Sequence, residues 1–228
     1  MKRTIIFCLI AVFLAITVCG CEVERYSGGE QFSQQSAPDD ANQNAASSQL
    51  IVHFLDVGQA ESILVELPNH EVMLVDAGGN ADGSAVVQYI KKLGITRIDY
   101  LVGTHPHEDH IGGMDDVIKS FAVGKVYMPR VTHTTRTFED VLLALKSRNL
   151  KITSARAGLV IIDDPDLKIE ILAPCGSGYN NLNEYSVVTK ISYGQRSFLL
   201  TGDAGFQSEE EMMASSVDLR ADVLNIGH

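Results

Sequence analysis

The chain has 228 residues, 45% of them apolar, and a formal charge of −11 from 18 Lys and Arg against 29 Asp and Glu. That length holds one full domain with additional segments. No extended basic run follows Arg3. Nucleic-acid affinity rests on phosphate neutralisation by Lys and Arg, so strong non-specific DNA binding is disfavoured.

Lys2 and Arg3 give the N-terminus a positive start, and Thr4 to Val18 form an apolar run too short for a comfortable membrane span. Val18-Cys19-Gly20-Cys21 follows and resembles a bacterial lipobox, which would leave Cys21 as the lipidated first residue of the mature protein. A plain secretory signal or a short membrane anchor is the alternative. Either reading puts the domain outside the cytoplasm, as a membrane-anchored lipoprotein or a secreted protein. Residues 22–49 are poor in large apolar side chains and rich in Ser, Gln, Asn and Ala, the composition of a flexible tether. Without Lys2 and Arg3 the chain carries −13, and the −4 of the tether leaves −9 on residues 50–228. Cys8 and Cys19 leave with the signal and Cys21 takes lipid, so Cys175 stands alone in the folded part. A lone thiol makes no internal disulfide, and the domain must be held by its core and its metals. Cys175, between Pro174 and Gly176, is read as structural.

From residue 50 short apolar runs alternate with turn signals. Leu50–Asp56, Ser62–Leu67 and Glu71–Asp76 read as strands, the last two joined by a hairpin at Pro68-Asn69-His70. Ser84–Leu93 has helical spacing and stops at Gly94. Ile98–Gly103 reads as a strand, Ile111–Phe121 as a helix and Lys125–Met128 as a strand ended by Pro129. In Thr137–Asn149 the residues Phe138, Val141, Leu142 and Leu145 line one helical face, with Thr137 as the expected cap. Val160–Ile162, Lys168–Leu172, Val187–Tyr193 and Ser197–Leu200 are further strands, and Asp222–Ile226 begins one more.

Between the strand at 98–103 and the helix that follows, Thr104-His105-Pro106-His107-Glu108-Asp109-His110-Ile111-Gly112-Gly113 packs three of the seven histidines and one aspartate into six positions. Imidazole and carboxylate together suit zinc, iron or manganese. Alternation in an extended segment points His105 and His107 to one side. Asp109 and His110 sit where a helix begins, and Gly112 and Gly113 remove bulk where backbone must come close. Two ligand pairs aimed at neighbouring points describe a site for two metals better than a site for one.

The motif resembles the first metal motif, H-x-H-x-D-H, of the metallo-β-lactamase fold superfamily. His53–Ser62 with its Asp-Val-Gly-Gln, Leu74–Gly78, Ser197–Asp203 with its Leu-Leu-Thr-Gly-Asp, and Ala221–His228 fall in the matching order and spacing. Together they resemble the ComEC-type branch, the hydrolase domain attached to DNA-uptake competence proteins and its free-standing relatives, over residues 50–228. The implied fold is an α/β sandwich, two mixed sheets flanked by helices. Relatives continue past the position of His228, so the chain is read as truncated there, with an exposed sheet edge and an incomplete site.

The resemblance implies His105 and His107 on one metal, Asp109 and His110 on the other, Asp203 bridging the two, and His228 as a further ligand. The cofactor is then a pair of divalent ions, zinc first, with manganese or iron as alternatives. A bridging water acidified toward pKa ~7 would supply hydroxide, which Asp109 would orient as well as bind metal. Asp76 would sit behind the ligands and fix an imidazole tautomer; a turn residue before Ala77-Gly78 is the alternative. Many superfamily members carry another histidine before the "GD" strand, whereas Tyr179–Ser186 has none, and Asn183 or Ser186 is expected to face the metals or the substrate. His133 is either substrate-facing or solvated; His53 reads as structural and His70 as exposed.

The leading expectation is an extracytoplasmic, lipid-anchored metallohydrolase of phosphodiesters, with DNA the substrate implied by the competence branch. A phosphodiesterase for choline-bearing envelope polymers tolerates the acidic domain better. A non-catalytic accessory protein at the membrane is the third class. No signal for a dimer stands out.

Overall fold

The computed structural model describes residues 49–227. The signal segment with Cys21, the tether up to residue 48 and His228 lie outside the described residues. Among the described residues no helix is long and apolar enough to cross a membrane.

β1 (Ile51–Phe54), β2 (Ile63–Glu66) and β3 (Val72–Val75) form an antiparallel meander. After α1 (Gly83–Lys92), β4 (Arg97–Val102) joins β3 in parallel. The helices α2 (Glu108–Ile111) and α3 (Met114–Ser120) lead to β5 (Ala122–Pro129), and α4 (Arg136–Ser147) leads to β6 (Ile152–Ala155), both again parallel. The result is a six-stranded sheet in chain order. Parallel neighbours need a crossover, and the helices supply it. β7 (Val160–Asp163), β8 (Leu167–Ala173), β9 (Val188–Tyr193) and β10 (Arg196–Leu200) are antiparallel. α5 (Phe206–Ala214) then carries the chain to β11 (Val223–Asn225), parallel to β10 at the edge of this second, five-stranded sheet.

Side-chain alternation decides the layers. Ile63, Val65, Met73, Val75, Tyr100 and Val102 point between the sheets, where they meet Ile169, Ile171, Ile191 and Leu200. Their chain neighbours Leu64, Leu74 and Leu101 point the other way, onto Val86, Ile90, Met114, Val117 and Val141 of the helices. A smaller cluster of Leu172, Val188, Leu199 and Met212 seats α5 on the outer face of the second sheet. Helices, sheet, sheet and helix are stacked in that order, as the mixed α/β sandwich expectation requires.

Two local expectations are corrected, and three elements are new. The single helix over 111–121 is two, because α2 ends at Gly112 and α3 starts after Gly113. A Cβ at Gly112 would overlap the backbone of Gly79 and Asn80, and one at Gly113 would overlap the carbonyl of Ala77, so the loop after β3 lies against this break. The cap of α4 is Thr135, not Thr137: Thr135 is extended and its Oγ1 accepts from the Phe138 N–H at 3.4 Å. Thr137 is already inside the first turn, buried, with its hydroxyl on Asn80. Finally, β6, α5 and a 3₁₀ turn at Leu182–Tyr185 had no sequence expectation. β6 exposes three of its four residues, and α5 leaves Phe206 and Met213 exposed, so neither shows a clean apolar period.

Gly112 has ordinary right-handed dihedrals, so helix propensity alone makes Gly112→Ala stabilising by about 1 kcal/mol. The backbone contact predicts the opposite sign, a loss of about 1–3 kcal/mol, read as a lower urea midpoint. A raised midpoint would show that the loop after β3 does not rest on this glycine.

Candidate metal centre

β3, β4 and β5 run parallel and end at one edge of the first sheet, and chemistry-bearing residues follow each end. Asp76 follows β3, the histidine motif follows β4, and His133 lies four residues beyond β5. His107 is extended and caps the start of α2, so Asp109 and His110 enter as its first turn while His105 stays on the extended side. Backbone bonds lock this segment in place. The Ala77 N–H donates to the His110 carbonyl at 2.8 Å, Glu61 N–H to Asp109 at 3.1 Å, and Gly78 N–H to Glu61 at 2.7 Å.

The donor atoms converge. His105 Nε2 and His107 Nδ1 are 2.9 Å apart, and the His105 and His110 rings lie 4.2 Å between centroids. His110 Nε2 is 3.4 Å from Asp203 Oδ2 and 4.0 Å from Asp109 Oδ2. His105, His110 and Asp203, all buried, each offer a ligand atom within 4.8 Å of the others. Gly227 abuts Asp203, and His228 itself is outside the described residues.

Whether a cation suits these residues can be judged at His110. Its Nδ1 is 2.7 Å from Asp76 Oδ2, which fixes the proton on that nitrogen. Its Nε2 is buried and aligned with no hydrogen-bond partner. With a cation in place of the Nε2 proton, an imidazole held this way would present its lone pair to the Asp203 side of the site, as a metal ligand does. Divalent metals fit this His/Asp set.

Asp76 is the support of that arrangement. It is fully buried and adopts φ +56, a left-handed conformation uncommon outside glycine. Its Oδ1 accepts from the Thr104 N–H at 2.8 Å, and its Oδ2 from the Thr104 hydroxyl at 2.6 Å. Asp76 thus both turns the chain after β3 and meets the His110 imidazole.

Charge is concentrated here. Burial disfavours the charged form of His110, but Asp76 and Asp203 outweigh it and raise the ring's pKa to about 11. The field that favours a proton there favours a cation too. Burial lowers the pKa of His107 against the pull of Asp109. Glu61 is raised to about 7 by burial and then by the Asp76 charge, with His110 and the Asn225 hydrogen bond opposing.

Around this set, Ser186 is buried with Oγ 3.4 Å from His105 Nδ1. His133 is half-buried, its ring 6.2 Å from that of His107 and its Nδ1 3.1 Å from Thr135 Oγ1. Asn183 is not brought onto the histidines by any hydrogen bond, and its Oδ1 is buried without a partner. His53 bridges Tyr89 and Glu66, away from the site. Cys175 is exposed, 3.4 Å from the Leu172 carbonyl. Sequence reasoning missed Thr104, Glu61 and Asn225. Thr104 directly precedes the motif, which was its signal. Glu61 and Asn225 meet across 164 positions of sequence through a 2.5 Å hydrogen bond, and no local pattern announces that.

The family model described as "Metallo-beta-lactamase superfamily" matches residues 55–225. ComE operon protein 3 of Bacillus subtilis (strain 168) is 28% identical over 199 residues, covering 80% of this chain and 26% of that protein. The chain thus spans about a quarter of that relative's length. Among solved structures, a metallo-beta-lactamase of Cronobacter sakazakii with a HARLDQ motif is similar at TM-score 0.55 and 12% identity, over 77% of this chain and 74% of that one. Rm3 metallo-beta-lactamase is similar at TM-score 0.51 and 18% identity, over 75% and 74%. At such identities the likeness is one of fold.

Asp76→Asn keeps the volume but removes the charge that holds His110 and one acceptor for Thr104. Metal affinity is predicted to fall about 10–100-fold, measured by competition with a chromogenic chelator. Wild-type affinity in the variant would remove Asp76 from the metal site's support.

Proposed function

The chain belongs to the metallo-beta-lactamase superfamily of metal-dependent hydrolases, and we propose that it is a phosphodiesterase acting on DNA with two zinc ions, held outside the cytoplasm by a lipid on Cys21. The observation that carries the reading is the buried convergence of His105, His110 and Asp203, set among the motifs that resemble the competence branch. The 28% identity to ComE operon protein 3 supports that branch.

In this reading His105 and His107 would hold one ion and Asp109 and His110 the other, with Asp203 and His228 as further ligands. The nitrogen and oxygen donors suit zinc, with manganese or iron next. When bound, such ions supply Lewis acidity to a phosphoryl oxygen and a nucleophile from water at neutral pH. The residues do the rest. Asp109, its side chain 31% exposed beside the buried His110, would be within reach of an attacking water and would orient it as well as bind metal. Asp76 and Thr104 hold His110 in one tautomer. Ser186 steadies His105, and His133 stands at the rim on the His107 side, where a substrate oxygen would arrive.

One observation favours a second reading. The −9 charge of residues 50–228 repels a bare polyanion, and a phosphodiesterase for zwitterionic, choline-bearing envelope polymers meets less repulsion.

Incubation with single-stranded DNA and Zn²⁺ or Mn²⁺ is expected to give cleavage that chelator stops and metal restores. Asp109→Ala is expected to reduce it a hundredfold or more. Intact DNA at every metal, with choline phosphate released from envelope polymer, would favour the second reading. No turnover of either would leave an accessory role.

Cys21→Ala is expected to release the protein from the membrane fraction. Undiminished attachment would make the N-terminal segment an uncleaved anchor.

A further inference from the structure

Beside the metal centre, a cleft of about 930 Å³ lies between the ends of β5, β6 and β8. Arg130, Arg156 and Tyr185 form parts of its wall, and its lining includes no acidic side chain. In a domain with a charge of −9 that is a local reversal of sign.

The partners of the arginines sharpen the point. Among the described residues, Arg97, Arg136, Arg196 and Arg220 each pair with a carboxylate. Arg148 donates to the carbonyl of Lys119. Among the described residues Arg130 and Arg156 have no side-chain hydrogen-bond or ion-pair partner. The two described guanidiniums without a partner thus line one cleft. Concave walls focus potential, and the guanidinium fork matches phosphate oxygens two at a time.

The cleft also adjoins the metal site. Arg130 precedes His133 by three residues, a reach of at most ~10 Å, and the His133 ring is 6.2 Å from that of His107. Tyr185, also in the lining, is the chain neighbour of Ser186, whose Oγ is 3.4 Å from His105 Nδ1. The Tyr185 hydroxyl accepts from the Gly178 N–H at 2.9 Å, which keeps that wall in place.

We propose that Arg130 and Arg156 bind backbone phosphates of a single DNA strand flanking the scissile phosphodiester, so that the cleft tracks the strand away from the metals. The inference rests on the phosphodiesterase reading and narrows its substrate. A choline-bearing polymer fits this wall less well. Its quaternary ammonium groups seek aromatic faces or carboxylates, and the cleft instead offers two fixed positive charges with one largely buried tyrosine.

The test is fluorescence anisotropy of the metal-loaded full chain with a labelled phosphorothioate oligothymidylate, which resists cleavage, over a range of salt concentrations. Arg130→Gln and Arg156→Gln are each expected to raise Kd about tenfold. The double variant is expected to reduce the slope of log affinity against log salt by about 1.4, two contacts at ~0.7 each for a single strand. Arg130→Lys and Arg156→Lys, which keep the charge without the fork, should fall between. An unchanged Kd and slope in the double variant, or no binding by the wild type, overturns the proposal. Tighter, arginine-dependent binding of a choline-bearing teichoic acid fragment overturns it in favour of the polymer. Wild-type hydrolysis of a chromogenic single phosphodiester, assayed in parallel, reports on the phosphodiesterase reading separately. Its absence with arginine-dependent binding intact sinks the activity and supports the strand groove; its presence with arginine-independent binding sinks the groove alone.

Discussion

The carboxylate of Asp76 organises this molecule's chemistry. It sits at the end of β3, buried and in a left-handed conformation, and it binds the first polar residue after β4 through both backbone and side chain. Parallel strands are otherwise joined by ladder bonds that stop where the strands stop. Asp76 extends that connection past the strand ends, into the loop that carries the histidines. Its remaining contact, to His110 Nδ1, turns a structural tie into a chemical one, because it decides which nitrogen faces Asp203. An uncharged residue there would leave Thr104 short of an acceptor and His110 free to exchange tautomers.

That arrangement explains what the sequence disclosed and what it withheld. The histidine motif was legible because its ligands are consecutive and one strand end delivers them. The sandwich was legible because Leu64, Leu74 and Leu101 alternate with inward-facing neighbours on strands with a clean period of two. β6 and α5 were not, since an edge strand and a helix over a small cluster bury too little to impose a period. The cap of α4 was not legible because Thr135 and Thr137 are both threonines near the same turn, and only backbone dihedrals separate cap from first turn. Glu61 and Asn225 illustrate the general limit: their pairing exists only after two sheets have packed.

Electrostatics divides the site edge into two unlike parts. Around the histidines stand Glu61, Asp76, Asp109 and Asp203; against the cost of burial, Asp76 and Asp203 raise the His110 imidazole to about 11, while burial and then the Asp76 charge raise the Glu61 carboxyl to about 7. A few residues away the cleft wall carries two guanidiniums and no acid. A negative pole attracts cations, and in the proposed reading the positive one would attract the phosphodiester on which they act. A field uniform in either sign would serve only one of the two.

The same accumulation links stability to metal. Buried carboxylates and imidazoles that converge within 4.8 Å are costly to bring together unless a proton or a cation sits among them. Cys175 is the only cysteine among the described residues and is free, so no disulfide offsets that cost there. A divalent ion that binds the folded arrangement and not the unfolded chain stabilises it in proportion to the logarithm of its concentration over Kd. Residues such as Asp76, whose carboxylate holds the His110 ring, would then govern two properties at once. They would set the affinity of the centre, and through it how much of the fold's stability an ion supplies.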